Sequence, residues 1–249
     1  MESEKLSPEA FEQKKRDFDH NYEIIKERIK QAAEISGRKY EDINLLAATK
    51  TVSPELINYG ISKGISLIGE NRVQELLSKK DSLNIDKQHT HFIGHLQTNK
   101  VNKVVGCAAL IESVDSEHLL QKVERAAAAA NLTQEILIEI NIGGEESKSG
   151  VSAESLWPLL DMAAAQPHIR LRGLMAIPPA AATPDETRAF FAQMRELLAK
   201  AADRHYENAK MDILSMGMSG DYPDAIREGA TIVRIGTAIY GARDYSKKA

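Results

Sequence analysis

The chain has 249 residues, with 32 Lys and Arg against 36 Asp and Glu, a net charge of −4, and 43% hydrophobic and 27% charged residues. That balance allows one sizeable core and gives no basic surface for nucleic acid. Cys107 is the single cysteine, which excludes an intramolecular disulfide and a cysteine-based zinc cluster.

Residues 1–15 are studded with charge and lack the apolar stretch of a signal peptide. No run approaches the roughly 18–20 apolar residues of a membrane span. The expectation is a cytoplasmic, single-domain protein that meets neither nucleic acid nor membrane, its lone cysteine suiting a reducing compartment.

Along the chain, Phe11, Phe18, Tyr22, Ile25 and Ile29 recur at helical spacings on one face. They predict a long helix over residues 8–37, ended by Gly37. From residue 43 to residue 241 the rhythm changes to eight short apolar runs. These cover residues 43–50, 66–71, 90–96, 109–115, 135–142, 170–177, 212–219 and 232–241. Near-continuous apolar runs suit parallel strands covered on both faces.

Helix signals lie between the runs. Ser53-Pro54 and Thr183-Pro184 each put a capping side chain before a proline, Ser116 precedes an alanine-rich stretch, and Asp221 and Gly229 frame a short helix. Pro158 inside residues 152–166 requires that helix to start late, near Ser155, or to kink. Eight strands alternating with helices predict a single α/β fold, a (β/α)8 TIM-type barrel with an extra N-terminal helix. The rival doubly wound sheet would want a glycine-rich first turn, and Thr51-Val52-Ser53-Pro54 is not one.

A barrel carries its active site at the C-terminal ends of its strands. Lys50 follows the apolar Leu45-Leu46-Ala47-Ala48-Thr49. A partly dehydrated amine there could attack a carbonyl to form a Schiff base. A lysine snorkelling into solvent explains the same spacing equally well. Ser215, Gly217 and Ser219 close the seventh run with Gly220 just after it, and Arg234-Ile235-Gly236-Thr237 lies within the eighth. Small residues and hydroxyls after strands seven and eight suit a phosphate. His95 beside Gly94, Met175, Cys107 and the helical Trp157, Tyr59 and Tyr206 all have ordinary structural explanations. His89 and His91, two apart on one predicted strand, find no carboxylate cluster to complete a metal site.

Several longer segments carry a family resemblance. They include Ala47-Ala48-Thr49-Lys50-Thr51, Gly69-Glu70-Asn71-Arg72-Val73-Gln74-Glu75, Ser147-Lys148-Ser149-Gly150 and Gly173-Leu174-Met175-Ala176-Ile177-Pro178. To these are added His91-Phe92-Ile93-Gly94-His95-Leu96-Gln97-Thr98-Asn99-Lys100, Ser215-Met216-Gly217-Met218-Ser219 and Val233-Arg234-Ile235-Gly236-Thr237-Ala238-Ile239-Tyr240-Gly241. Together they resemble the pyridoxal phosphate homeostasis protein family from the first strand to the last. The resemblance implies an alanine-racemase-like barrel with pyridoxal 5′-phosphate (PLP) held as a covalent aldimine on Lys50. It implies Ser219, Gly236 and Thr237 on the phosphate, Ser215 in the same turn, Arg234 facing the pyridine nitrogen, and Asn71, Met175 and His95 lining the ring.

An arginine there keeps that nitrogen unprotonated and weakens carbanion chemistry. The racemases supply their opposite-face base from a second domain, for which eight residues after Gly241 leave no room. The expectation is therefore a PLP carrier or buffer without robust turnover, a monomer or weak homodimer that supplies PLP-requiring apo-enzymes. A PLP-dependent racemase or lyase and a cofactor-free Schiff-base aldolase remain as alternatives.

Overall fold

The computed structural model describes residues 7–241. The eight residues after Gly241 and the first six of the N-terminal segment lie outside the described residues. Helix α1 (Pro8–Ile35) opens on Ser7, whose Oγ accepts from the Ala10 N–H at 3.2 Å. Its apolar stripe buries Phe18, Tyr22, Ile25, Ile29, Ala32 and Ala33, a periodicity of one helical face.

Eight parallel strands follow among the described residues: β1 (Asn44–Ala48), β2 (Ile68–Glu70), β3 (Thr90–Phe92), β4 (Leu110–Val114), β5 (Gln134–Ile140), β6 (Ile169–Ala176), β7 (Ala209–Ser215) and β8 (Ile232–Ile235). They pair in sequence order, and β1 pairs with β8, so the sheet closes on itself. Closure rejects the doubly wound alternative.

Around the strands stand α2 (Pro54–Ser62), α3 (Val73–Lys79), α4 (Val101–Val104), α5 (Glu117–Ala129), α6 (Leu156–Ala164), α7 (Pro184–Ala202), α8 (Tyr222–Arg227) and α9 (Thr237–Tyr240). Ser116 and Thr183 cap α5 and α7 through their hydroxyls, Thr183 in a reciprocal box with Glu186. Ser53 occupies the same position at α2 without a side-chain cap bond. Helix α6 starts late, with Ser155 at its cap and Pro158 inside the first turn, where no N–H is required. Helix α1 docks against α8 and α9, and Phe18 sits among the rings of Tyr22, Tyr59 and Tyr240.

The core has two parts. The larger lies between strands and helices; the lumen holds two small apolar clusters, Leu46, Ile93 and Ile232 in one and Leu110, Leu137 and Met175 in the other. No helix among the described residues is long and apolar enough to cross a membrane.

Several strands stop short of expectation, β3 at Phe92 rather than residue 96 among them, and two of these ends shape the site. β8 stops at Ile235, where its pairing with β1 ends at Ala47, and the chain turns at Gly236 into α9. β7 stops at Ser215, and Gly217 turns the chain with φ +90, a conformation that glycine adopts readily. Residues 216–219 and 236–241 are thus loop and short helix rather than strand.

The ends of β2 and β3 meet with no spare room. A methyl group at Gly94 would lie 2.1 Å from the Asn71 backbone oxygen. Gly94→Ala must push the two strand ends apart, at a cost of about 3 kcal/mol and a melting temperature lower by roughly 6–12 °C. A thermal melt within 2 °C of the parent, as an approximate margin, would contradict this packing.

Candidate functional site

Side chains alternate along a strand, so residues two apart share a face. Leu46, Leu110, Leu137, Ile213 and Ile232 face the lumen. The same parity puts Glu112, Glu139, Ser215 and Arg234 there, each two positions nearer the C-terminal mouth. His91, two before Ile93, joins them from β3. These polar groups are buried, and water cannot satisfy them.

His91, Glu112, Ser215 and Arg234 satisfy one another. Arg234 Nη1 donates to Ser215 Oγ at 2.7 Å, and Arg234 Nη2 donates to the Ala176 carbonyl at 3.0 Å. Ser215 Oγ donates in turn to Glu112 Oε2 at 2.6 Å. The other carboxylate oxygen of Glu112 lies 2.6 Å from His91 Nδ1. Burial pushes the Glu112 carboxyl up, but His91, the Arg234 charge and the Ser215 hydroxyl outweigh it and hold its pKa below the usual carboxylate value. Arg234 is 4% exposed. Its direction is fixed from strands β4, β6 and β7 at once.

Lys50 lies two residues beyond β1 in a turn, half-buried, on the parity of Leu46 and Ala48. Leu46 stands in register beside Arg234. A methyl group placed at Gly236 would lie 3.0 Å from the Ala48 carbonyl oxygen. The turn after β8 therefore packs on the strand end that carries Lys50. Ser219 reaches the same turn, its Oγ accepting from the Ala238 N–H at 3.1 Å. Thr237 is exposed there, as the first residue of α9.

Lys50, Arg234, Gly236, Thr237 and Ser219 thus gather along the β1–β8 seam and the adjoining β7 loop. Asn71 sits at the end of β2, on the other side of β1, and its buried Oδ1 has no hydrogen-bond partner.

Three expected site residues have different surroundings. Ser215 is fully buried, and its hydroxyl is committed to Glu112 and Arg234. Met175 is 1% exposed and packs with Leu110 and Leu137 in the lumen. His95 is exposed, with Nδ1 3.1 Å from Ser149 Oγ and 3.5 Å from Asp115 Oδ2.

The histidine pair is also corrected. His89 lies in a helical turn before β3 and pairs with Asp86, whereas His91 is in the strand and pairs with Glu112. Among the described residues no group of three or more His, Cys, Asp and Glu converges as a metal site.

Glu112 and Glu139 escaped the reading of strand ends. Their signal was a lone acid inside a buried run, Leu110-Ile111-Glu112 and Ile138-Glu139-Ile140, which demands a partner. Glu139 lies 9% exposed near Asp115 and Arg234. Burial and the Asp115 charge raise its pKa to about 7, against the pull of Arg234.

Comparison with known proteins places nearly the whole chain among relatives of known fold. Residues 15–244 match the family model of the alanine racemase N-terminal domain. A pyridoxal phosphate homeostasis protein of Aquifex aeolicus is 44% identical over 89% of this chain and 96% of its own length. A crystal structure of an unknown protein from Bifidobacterium adolescentis superposes with a TM-score of 0.87 at 34% identity, covering 95% of this chain and 98% of that one. PipY of Synechococcus elongatus PCC7942, solved with PLP bound, superposes with a TM-score of 0.74 at 31% identity, covering 86% of this chain and all of PipY (100%).

Glu139 gives a testable pH dependence. Its folded pKa of about 7 stands above the ordinary 4.5, so ionisation is disfavoured in the fold. Stability is then lost as pH rises from 4.5 through 7 and stays lost above. Glu139→Gln is expected to match the parent near pH 4.5 and exceed it at pH 8 by up to about 3 kcal/mol. Melting curves at both values check this, and a gap that does not widen with pH would refute it.

Matched over nearly its whole length by a family model and by relatives well above 30% identity, the chain belongs to the pyridoxal phosphate homeostasis protein family, built on the alanine racemase N-terminal barrel.

Proposed function

We propose that this chain binds PLP as a Schiff base through Lys50 and acts in the cytoplasm as a PLP carrier or buffer without robust turnover. The observation that carries the reading is the β1–β8 seam. It brings an amine, a fixed guanidinium and a hydroxyl-bearing turn to one end of a closed barrel. The donor set fits the cofactor: an amine for its aldehyde, Ser219, Gly236 and Thr237 for its phosphate, and the orphaned Asn71 Oδ1 for a ring donor. The relatives' names and the PLP in PipY support the same ligand.

When bound, PLP supplies an aldehyde and an electron-withdrawing ring. The protein's own groups set what that ring can do. Arg234 donates only and cannot give up its proton, so it cannot act as the carboxylate that would hold a pyridinium. Ser215 contributes through Arg234, by fixing where the guanidinium lies. Ser219 and the Thr237 hydroxyl would fix the phosphate, and Met175 would support the ring from below. His95 belongs to the rim, where Ser149 and Asp115 hold it.

We read the helix over residues 8–37 and the barrel over residues 43–241 as one domain. Its partners would be PLP and the PLP-requiring apo-enzymes that receive it, with the protein a monomer or weak homodimer.

One observation favours a second reading. Glu139, titrating near neutrality at the lumen, is placed for acid–base work, as a racemase or lyase acting on amino acids would need. Incubation with L-amino acids in D₂O separates the two. Exchange of the Cα hydrogen at enzyme-like rates would establish turnover, and its absence supports the carrier. A cofactor-free aldolase would be colourless, and a loaded PLP protein is yellow.

Lys50→Ala is expected to remove borohydride-trapped label while the barrel still melts cooperatively. A pyridoxyl label mapped to another lysine would sink the assignment. Ser219→Ala combined with Thr237→Val is expected to weaken PLP more than phosphate-free pyridoxal, by roughly 10-fold for two lost hydrogen bonds. Equal losses for both ligands would remove these residues from the phosphate.

A further inference from the structure

The turn that carries Lys50 is held by side chains from the next β/α unit. β1 has already ended at Ala48, and Thr51 has φ +63, an uncommon conformation for a β-branched residue. Glu75 Oε2 accepts from the Thr51 N–H at 2.7 Å. On the other side of Lys50, Thr49 Oγ1 donates to Glu70 Oε1 at 2.7 Å. Lys79 joins the two sides: its Nζ donates to the Thr49 carbonyl at 2.9 Å, to Glu70 Oε1 at 2.9 Å and to Glu75 Oε2 at 3.0 Å. An ammonium has three N–H bonds, and here each has an acceptor. The residues before and after Lys50 are therefore tied to one buried ion.

This ring has no slack. Lys79 is 7% exposed and Glu70 1%. Burial pushes the Glu70 carboxyl up while Lys79 and Thr49 pull it down, and its second oxygen has no hydrogen-bond partner. Burial also works against Glu75, but the Thr51 N–H and Lys79 outweigh it and hold its pKa below the usual value. Without Lys79, two carboxyls would face each other and the Thr49 carbonyl would keep only the Val52 N–H as a donor. A surface lysine making one exposed pair would have no such hold on its neighbours.

We propose that Lys79, with Glu70 and Glu75, is a positioning device for Lys50: it fixes the turn at residues 49–51 and so the direction from which the Lys50 amine meets its ligand. The proposal deepens the reading of Lys50 as the PLP amine and rests on it.

The test compares two ligands that share a ring and a phosphate. PLP carries an aldehyde that bonds an amine, and pyridoxine 5′-phosphate carries an alcohol that does not. Lys79→Met is expected to weaken PLP by roughly 10-fold or more, the effect of unpairing a buried polar group. The same variant should leave pyridoxine 5′-phosphate within about 2-fold of the parent, because packing around ring and phosphate is untouched. Should Lys79→Met not fold, Glu75→Ala, which frees the Thr51 N–H, is read in the same way. Equal weakening of both ligands, or of neither, would overturn the proposal.

Competitive acetic anhydride labelling of the ligand-free protein, mapped by peptide mass, provides a readout independent of PLP. The labelling of Lys50 relative to the exposed Lys14 should change in the variant, and an unchanged ratio would overturn the proposal too. If the parent protein binds neither ligand, the PLP reading has failed, and the labelling ratio alone decides whether Lys79 positions Lys50.

Discussion

A guanidinium buried inside a barrel is the constraint around which the rest of this molecule is arranged. Removing a full charge from water costs several kcal/mol even after relaxation. Arg234 is accommodated only because Glu112, Ser215 and the Ala176 carbonyl meet it in fixed directions. Such a cluster adds little net stability over an apolar plug of the same volume. What it supplies is aim: a donor group whose position is determined by four strands and cannot relax toward solvent.

That arrangement explains the layering of the lumen. On β4, β5, β7 and β8 apolar side chains fill the lower part and polar ones lie two residues further along, while at β3 His91 precedes Ile93. β1 then lies between two suppliers. β8 brings Arg234 and the Gly236 turn to one side, and β2 brings Glu70 and Asn71 to the other. Lys50 emerges between them, at the point where its own strand has run out of pairing partners.

The barrel was legible because eight apolar runs alternating with capped helices leave few topologies open. Lys50 and the turns after strands seven and eight stand out for a related reason, their place at strand ends, and the structure gathers those positions along the β1–β8 seam. Strand lengths were not legible. Ile235 to Tyr240 reads as one apolar run, yet β1 offers no partner beyond Ala47, so tertiary pairing overrides local pattern. Glu112 is hard to see in the sequence because it lies mid-strand, and Lys79 because a lysine on a short helix looks like a solvated one. Both announce themselves only when the acceptors and donors around them are known. Ser215 shows the converse, a hydroxyl at a strand end that is bonded to Glu112 and Arg234.

The contact between Ala48 and Gly236 joins positions near the two ends of the described chain. During synthesis, Lys50 leaves the ribosome long before the strand that completes its surroundings. Until residues 232–237 have followed and closed the cylinder, the end of β1 has neither β8 beside it nor the Gly236 turn packed on it. The assembled seam is thus acquired late and all at once, and a chain interrupted before its last strand has the Lys50 turn without the turn that packs on it.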